Sequence, residues 1–370
     1  MKSIYLNSKD KLEIANKIAE TVSGKTALLF VPENSKINVK ALIEVLNNLK
    51  IKYIGGIFPK VIHGNSIYDK GIVIDVIEDE IENFIVKNLN SKKYTIPYIE
   101  LESNTKYCAY TFVDGLASNI SHYLSELYTK YGNKLSYFGG GAGSLTLQQT
   151  PCVFNHTGLY QDAAVVSIAK VNSTIGVKHG WKKVRGPLIA TKTDQNIIKE
   201  INWRSAFEVY SEIINQDSEV KIDANNFFNV AKGYPFGIVK QNAEHVVRDP
   251  ISVNENGELI CVGEVPENTV LDILKGENNS LINAAKQAAM DVSHNAKNPS
   301  YGVIIDCISR ILFLEEEFQI ELNGVVEALK TKNENLTVSG ALTLGEVSSY
   351  GSNYLELFNK TLVVGLFENI

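Results

Sequence analysis

The sequence predicts an α+β protein built as two mixed α/β domains with largely antiparallel sheets, and three observations carry that expectation. At 370 residues the chain is longer than the roughly 250–300 residues that one hydrophobic core usually serves. A strand-helix-strand-strand module recurs three times. Short strands also follow one another after each glycine-marked strand with no helix between them, which favours antiparallel pairing over a doubly wound parallel sheet.

Each module opens on a β-branched run: Ala27 to Val31, Ala109 to Val113, and Val303 to Ile308. An amphipathic helix follows, with apolar residues spaced three and four apart so that one face is buried: Ala41 to Leu49, Ile120 to Tyr131, Gly324 to Leu329. A glycine-marked strand comes next, at Tyr53 to Ile57, Ser136 to Gly143 and Gly340 to Gly345. A polar loop of variable length then leads to an apolar closing strand: Gly71 to Ile77, Ala163 to Ile168, Leu362 to Phe367. Recurrence in this order is the signature of an internal repeat. Between the second and third modules lie two further units of strands, turn and helix, Thr174 to Ile214 and Val246 to Val292. In the latter, Asn254-Glu255-Asn256-Gly257 supplies a hairpin turn tolerant of positive φ. The polar stretch Asp217 to Asn226 is the expected boundary.

Composition narrows the function. A net charge of −6 leaves no basic footprint for nucleic acid or anionic lipid. No apolar run reaches the ~18 residues that span a bilayer. The amphipathic N-terminus lacks the apolar core of a signal peptide. The expectation is therefore a cytoplasmic protein. Cys108, Cys152, Cys261 and Cys307 are far apart in apolar stretches, which fits buried reduced thiols better than a disulfide framework. Gly139 to Gly143 lacks both the helix that follows a dinucleotide fingerprint and the Lys-Ser/Thr of a Walker loop, so the glycines read as close backbone contacts within a strand.

Several motifs in fixed order carry a resemblance. They are Gly139-Gly140-Gly141-Ala142-Gly143, Gln148-Gln149-Thr150, Val177-Lys178-His179-Gly180-Trp181-Lys182, Val247-Arg248-Asp249-Pro250, Gly263-Glu264-Val265-Pro266, Asp306-Cys307-Ile308-Ser309-Arg310, Gly345-Glu346 and Phe358-Asn359-Lys360-Thr361. Together they resemble the FIST proteins, with an N-type domain over residues 1–222 and a C-type domain over 223–370. The resemblance implies an intracellular sensory protein, not an enzyme, that binds a small ligand such as an amino acid and signals to a separate partner such as a histidine kinase. It also implies, as an alternative, a haem-based nitric-oxide sensor. The chain departs from the family pattern at Phe58-Pro59-Lys60-Val61-Ile62-His63-Gly64, where the Gly-Glu pair of the third module is missing.

The candidate ligand-binding residues are His179, Trp181, Arg248, Glu264, Asp306, Cys307, Arg310, Glu346 and Asn359. His179 is a ligand contact, with Trp181 as a pocket wall and haem iron as the alternative partner, or it is a histidine that holds a turn. Only four arginines occur in the chain, so each marks a need for a planar bidentate donor. Arg248 clamps a ligand carboxylate or pairs with Asp249. Asp306 and Arg310, bracketing a strand end, suit the amine and carboxylate of a zwitterion. Glu264 and Glu346 bind an ammonium or cap backbone amides. Cys307 is an inert buried thiol or, in a thiol enzyme, a nucleophile. A ligand-free interaction scaffold, in which these side chains only hold loops, is the remaining alternative.

Overall fold

The computed structural model describes residues 3–240, 244–350 and 354–368. The fold is α+β, with one parallel strand pair in each of three sheets and antiparallel pairing elsewhere. The three modules are present as expected. In the first, the strand Thr26–Pro32 leads through the helix Val39–Asn48 to the parallel strand Lys52–Phe58, and Ile72–Ile77 closes antiparallel to the first strand. The second repeats this with Tyr107–Asp114, Ile120–Tyr131, Leu135–Ala142 and Ala163–Lys170. The third does so with Tyr301–Cys307, Phe318–Leu329, Thr337–Thr343 and Leu362–Glu368, and an additional helix, Ile308–Leu314, follows its first strand.

The stretches expected as polar loops are β-hairpins, and each is given to a neighbouring module. Lys60–His63 and Ser66–Tyr68, from the first module, extend the third sheet by pairing with Thr337–Thr343. Val153–Asn155 and Gly158–Tyr160, from the second, pair with Lys52–Phe58 of the first. Glu346–Tyr350 and Tyr354–Phe358, from the third, pair with Leu135–Ala142 of the second. The exchange is cyclic, so the body has pseudo-threefold order among the three modules. Strand pairing crosses the 222/223 division in three of the four sheets.

Each of the three module sheets buries both faces of its central strands, which therefore read as continuous apolar runs. Outward, the helices Lys11–Val22 and Val39–Asn48 cover the first sheet, Ile120–Tyr131 the second, and Asn278–Asn295 with Phe318–Leu329 the third. Inward, the sheets meet on a shared aromatic core in which Phe30 and Phe58 pack on Phe112, with centroids 5.4 and 5.1 Å away. Phe367 packs on Tyr301, Phe138 and Tyr110, and the hydroxyls of Tyr110 and Tyr301 hydrogen-bond each other.

Most strands of the two units between modules, with Phe236–Ile238, form one closed barrel, while Asn172–Lys178 edges the third sheet against Leu362–Glu368. The barrel strands run in the order Lys182–Asp194, Thr269–Lys275, Phe236–Ile238, Val246–Val253, Leu259–Val262, Ile197–Ile201, and the last pairs back to the first. The helix Ala206–Asp217 packs its face Ala206, Val209, Tyr210 and Ile214 against the barrel core. All four cysteines are buried free thiols. Among the described residues no helix is long and apolar enough to cross a membrane.

One contact between modules gives a pH prediction. Asp75, on the closing strand of the first module, is 1% exposed and accepts a hydrogen bond from Ser339 of the third. Burial raises its pKa from 3.8 to about 6, against the opposing pull of the Ser3 and Ser339 hydroxyls. The folded value is the higher one, so the stability this carboxyl contributes is fully present at low pH and is lost as pH rises from about 4 to about 6. The loss is on the order of 3 kcal/mol at about 1.4 kcal/mol per unit. Asp75→Asn should lack that slope. Urea unfolding of both proteins between pH 4 and pH 8 checks it, and parallel stability profiles would contradict it.

Candidate ligand-binding site

Ligands of sheets with parallel strands commonly bind beyond the carboxyl ends of those strands, and a cavity of about 650 Å³ lies there. Its floor is made where Tyr107–Asp114 ends at Gly115 and Leu116, where Tyr301–Cys307 ends at Cys307, and where Thr337–Thr343 ends at Leu344 and Gly345. The barrel closes the opposite side with Asp249, Ile251, Ser252, Cys261, Gly263 and Glu264. Such a volume is within the range of small-molecule sites. The rim is apolar and open to solvent, with Leu145, Leu147, Phe228 and Leu312 each 40–54% exposed.

Local structure explains how these groups arrive. Asp114 caps the chain after its strand: Oδ1 accepts from Leu116 N–H at 3.1 Å, and Oδ2 accepts from Gln149 Nε2 at 2.7 Å. Gln149 of the Gln-Gln-Thr motif thereby anchors the loop that carries Leu145 and Leu147. On the barrel, the register slips between Pro250 and Ser252, a bulge of the kind that redirects side chains beside sites. Gly263, at φ +83°, turns the chain at the end of Leu259–Val262, and the carbonyl of Glu264 accepts from Arg248 Nε at 2.8 Å.

Of the nine candidates, Glu264, Cys307 and Asn359 line this cavity. Asn359 is 2% exposed, and its Nδ2 donates to the carbonyls of Val262 (3.1 Å) and Val247 (3.4 Å), tying barrel strands to the third module. Cys307 is 2% exposed, and burial, then the nearby Glu346 carboxyl, push its thiol pKa upward. That is the opposite of what a nucleophilic thiolate needs.

The zwitterion assignment to Asp306 and Arg310 is corrected. Arg310 is fully buried and all five of its N–H groups are taken. Nε and one terminal nitrogen, Nη2, donate to the Glu321 carboxylate; Nη2 also reaches the carbonyl of Leu281; and Nη1 reaches those of His179 (2.7 Å) and Lys360 (3.2 Å). Asp306 lies 3.3 Å from its Nε. Burial and then Glu321 raise the Asp306 pKa well above the carboxylate range, with Arg310 opposing them. Glu346 is equally buried and follows the amide-capping alternative: Oε1 accepts from the Thr343 hydroxyl at 3.1 Å and Oε2 from Thr361 N–H at 3.3 Å. Burial and then Asp306 raise its pKa well above normal.

His179 and Trp181 also stand behind the cavity wall. His179 Nδ1 accepts from Trp181 N–H at 2.9 Å, so Nε2 carries the proton and faces Glu244 at 2.9 Å. This is the turn-holding reading: the ring is 3% exposed, and Nε2 approaches Glu244 without a hydrogen bond of good geometry. Among the described residues no histidine lines the cavity, and no group of three or more His, Cys, Asp or Glu is arranged to hold a metal ion. Trp181 packs on Phe313 at 5.0 Å, and its Nε1 donates to the carbonyl of Lys360 at 3.0 Å.

Arg248 and Asp249 do not pair, because consecutive strand residues face opposite sides. Arg248 donates to the carbonyls of Glu264, Val247 and Leu357 and borders a second cavity of about 320 Å³ beside Lys240 and Glu356. Asp249 enters the larger cavity. Its Oδ2 meets Lys360 Nζ at 3.0 Å, the Ser309 hydroxyl lies near the carboxylate, and Oδ1 is buried with no hydrogen bond of good geometry. Asp249, Gln195, Asn196, Phe228 and the Gly115–Ser121 wall were not foreseeable as one site, since they converge from four separate stretches. The Arg-Asp-Pro motif was the only sequence signal near any of them.

Fold and cavity together define a two-domain α+β protein with a cleft, open at its rim, where its barrel meets its repeated modules. The chain belongs to the FIST family: the FIST N domain matches residues 27–204 and the FIST C domain residues 206–349. Domains of this family are sensory modules of signal transduction. A search among curated proteins finds no match.

Proposed function

We propose that this protein is a cytoplasmic sensor that binds a small molecule in the larger cavity and passes its state to a separate effector such as a histidine kinase. The observation that carries the reading is the cavity itself, flanked by modules two and three on one side and the barrel on the other. The barrel and the modules bound one space, so a ligand that fits better in one arrangement of the two shifts their equilibrium by its differential affinity. A surface elsewhere on the barrel would then report occupancy to the partner. Catalysis is not part of the reading: the one thiol at the cavity floor that sequence marks as a nucleophile is held protonated by its surroundings. The use of His179 Nδ1 in its own turn and the burial of the ring likewise favour a non-haem sensor.

The test is a thermal-shift panel of small cations, anions, zwitterions and neutral molecules, run on the wild type and on Ser252→Trp, which puts an indole into the cavity. At least one class should stabilise the wild type, and the shift should vanish in the variant. A shift of equal size in Ser252→Trp would place binding elsewhere. A Soret band in the purified protein would overturn the non-haem reading.

A further inference from the structure

The charged side chains that line the larger cavity are both acids, Asp249 and Glu264; no lysine, arginine or histidine borders it. Each acid holds one buried oxygen, Asp249 Oδ1 and Glu264 Oε1, that makes no hydrogen bond of good geometry, although the Ser309 hydroxyl lies near the Asp249 carboxylate and Glu264 also borders the smaller cavity. Asp249 as a whole is only 2% exposed. Buried carboxylate oxygens left unpaired are costly and infrequent in folded proteins, and two in one cavity mark the place of an absent donor. Lys360 does not fill that role: its Nζ is spent on Asp249 Oδ2 and the carbonyl of Lys232, each at 3.0 Å. The remaining wall is mostly apolar and leads out to Leu145, Leu147, Phe228 and Leu312.

Resting on the reading that this cavity is the ligand site, we propose that its ligand is an organic cation, an amine on an apolar body, with the ammonium set between Asp249 and Glu264 and the body directed toward the apolar rim. The same wall disfavours zwitterions. Arg248 belongs to the opposite face of its strand and to the smaller cavity, which Glu264 also borders; among the described residues no cation lines the larger cavity, so a free carboxylate there would meet two acids. An amine lacking the carboxyl group therefore binds better than the amino acid of the same side chain.

Isothermal titration of the full chain with 2-phenylethylamine, phenylalanine, 3-phenylpropionate and 2-phenylethanol tests this. The amine should bind at least ~10-fold more tightly than phenylalanine or the acid, the scale of one charge-assisted hydrogen bond. Glu264→Gln should weaken the amine by ~10-fold or more and leave 2-phenylethanol within ~2-fold. Asp249→Asn should act the same way, and if the loss of the Lys360 partner prevents its folding, Glu264→Gln alone decides. Amine binding unchanged in Glu264→Gln, or phenylalanine binding as tightly as the amine, overturns the proposal. Binding of only the alcohol or the acid overturns the cation assignment while the cavity still serves as a site; failure of all four probes tells against both.

Discussion

Arg310→Met is expected to destabilise the protein by about 3–5 kcal/mol, the usual consequence of removing one partner from a buried ion pair. The substitution takes away five donors at once. It leaves the Glu321 carboxylate without its bidentate partner and the carbonyls of His179, Lys360 and Leu281 without a shared donor. These carbonyls belong to three separate stretches: the turn entering the barrel, the helix Asn278–Asn295 and the turn before the last strand. Arg310 thus joins the barrel's entry to the third module. Arg310→Lys should fail nearly as badly, because an ammonium cannot reproduce the planar fork. Urea unfolding measures the effect, and a loss below ~1 kcal/mol would show that Arg310 is not a structural centre. Adding Glu321→Leu to Arg310→Met should recover part of the loss, since the stranded charge is then gone.

Gly139→Ala is expected to prevent folding or to cost several kcal/mol, comparable with the largest single-substitution effects. A Cβ at Gly139 would sit 1.7 Å from the carbonyl oxygen of Thr111 on the adjacent parallel strand, and backbone cannot yield as a side-chain tip can. The same register position recurs in each module: Gly55 opposite Leu29, Gly139 opposite Thr111, Gly340 opposite Ile304. At Gly340 the added atom would lie 1.8 Å from the Ile304 oxygen, and at Gly55 it would lie 2.3 Å from the Phe154 ring. Gly324→Ala is the matched control. It is within the helix Phe318–Leu329, where a Cβ meets nothing closer than 3.7 Å, and there alanine should stabilise by about 0.5–1 kcal/mol. Equal effects of the two substitutions in denaturant titrations would refute the close-approach explanation.

Those glycines show what was legible in the sequence and what was not. The modules are readable because β-branched strands and amphipathic helices impose their own periods, and the glycine strands stand out in each. The reason for the glycines is a contact between strands some thirty residues apart, which no local period records. The exchanged hairpins are hidden for the same reason. A short run such as Lys60–His63 pairs with Thr337–Thr343, and only the unpaired edge of that distant strand makes it a strand at all.

The site divides along similar lines. Glu264, Cys307 and Asn359 reach the cavity because the glycines and turns beside them end strands there. Arg310 and Asp306 misled because rarity and strand-end position mark a demanding role without saying whether a ligand or the chain itself fills it. Asp249 was legible as a charged residue beside a proline, but its separation from Arg248 follows from strand alternation and from the slipped register after Pro250.

The central claim is that ligand recognition belongs to the cavity between barrel and modules, and that the Arg310–His179 cluster behind it is structural. A crystal structure with the most stabilising compound of the thermal-shift panel tests it most directly. The account predicts ligand density bounded by Asp249, Glu264 and Cys307, with the hydrogen bonds of Arg310 intact. Density against Arg310 and His179, or on the outer surface of the molecule, would contradict it.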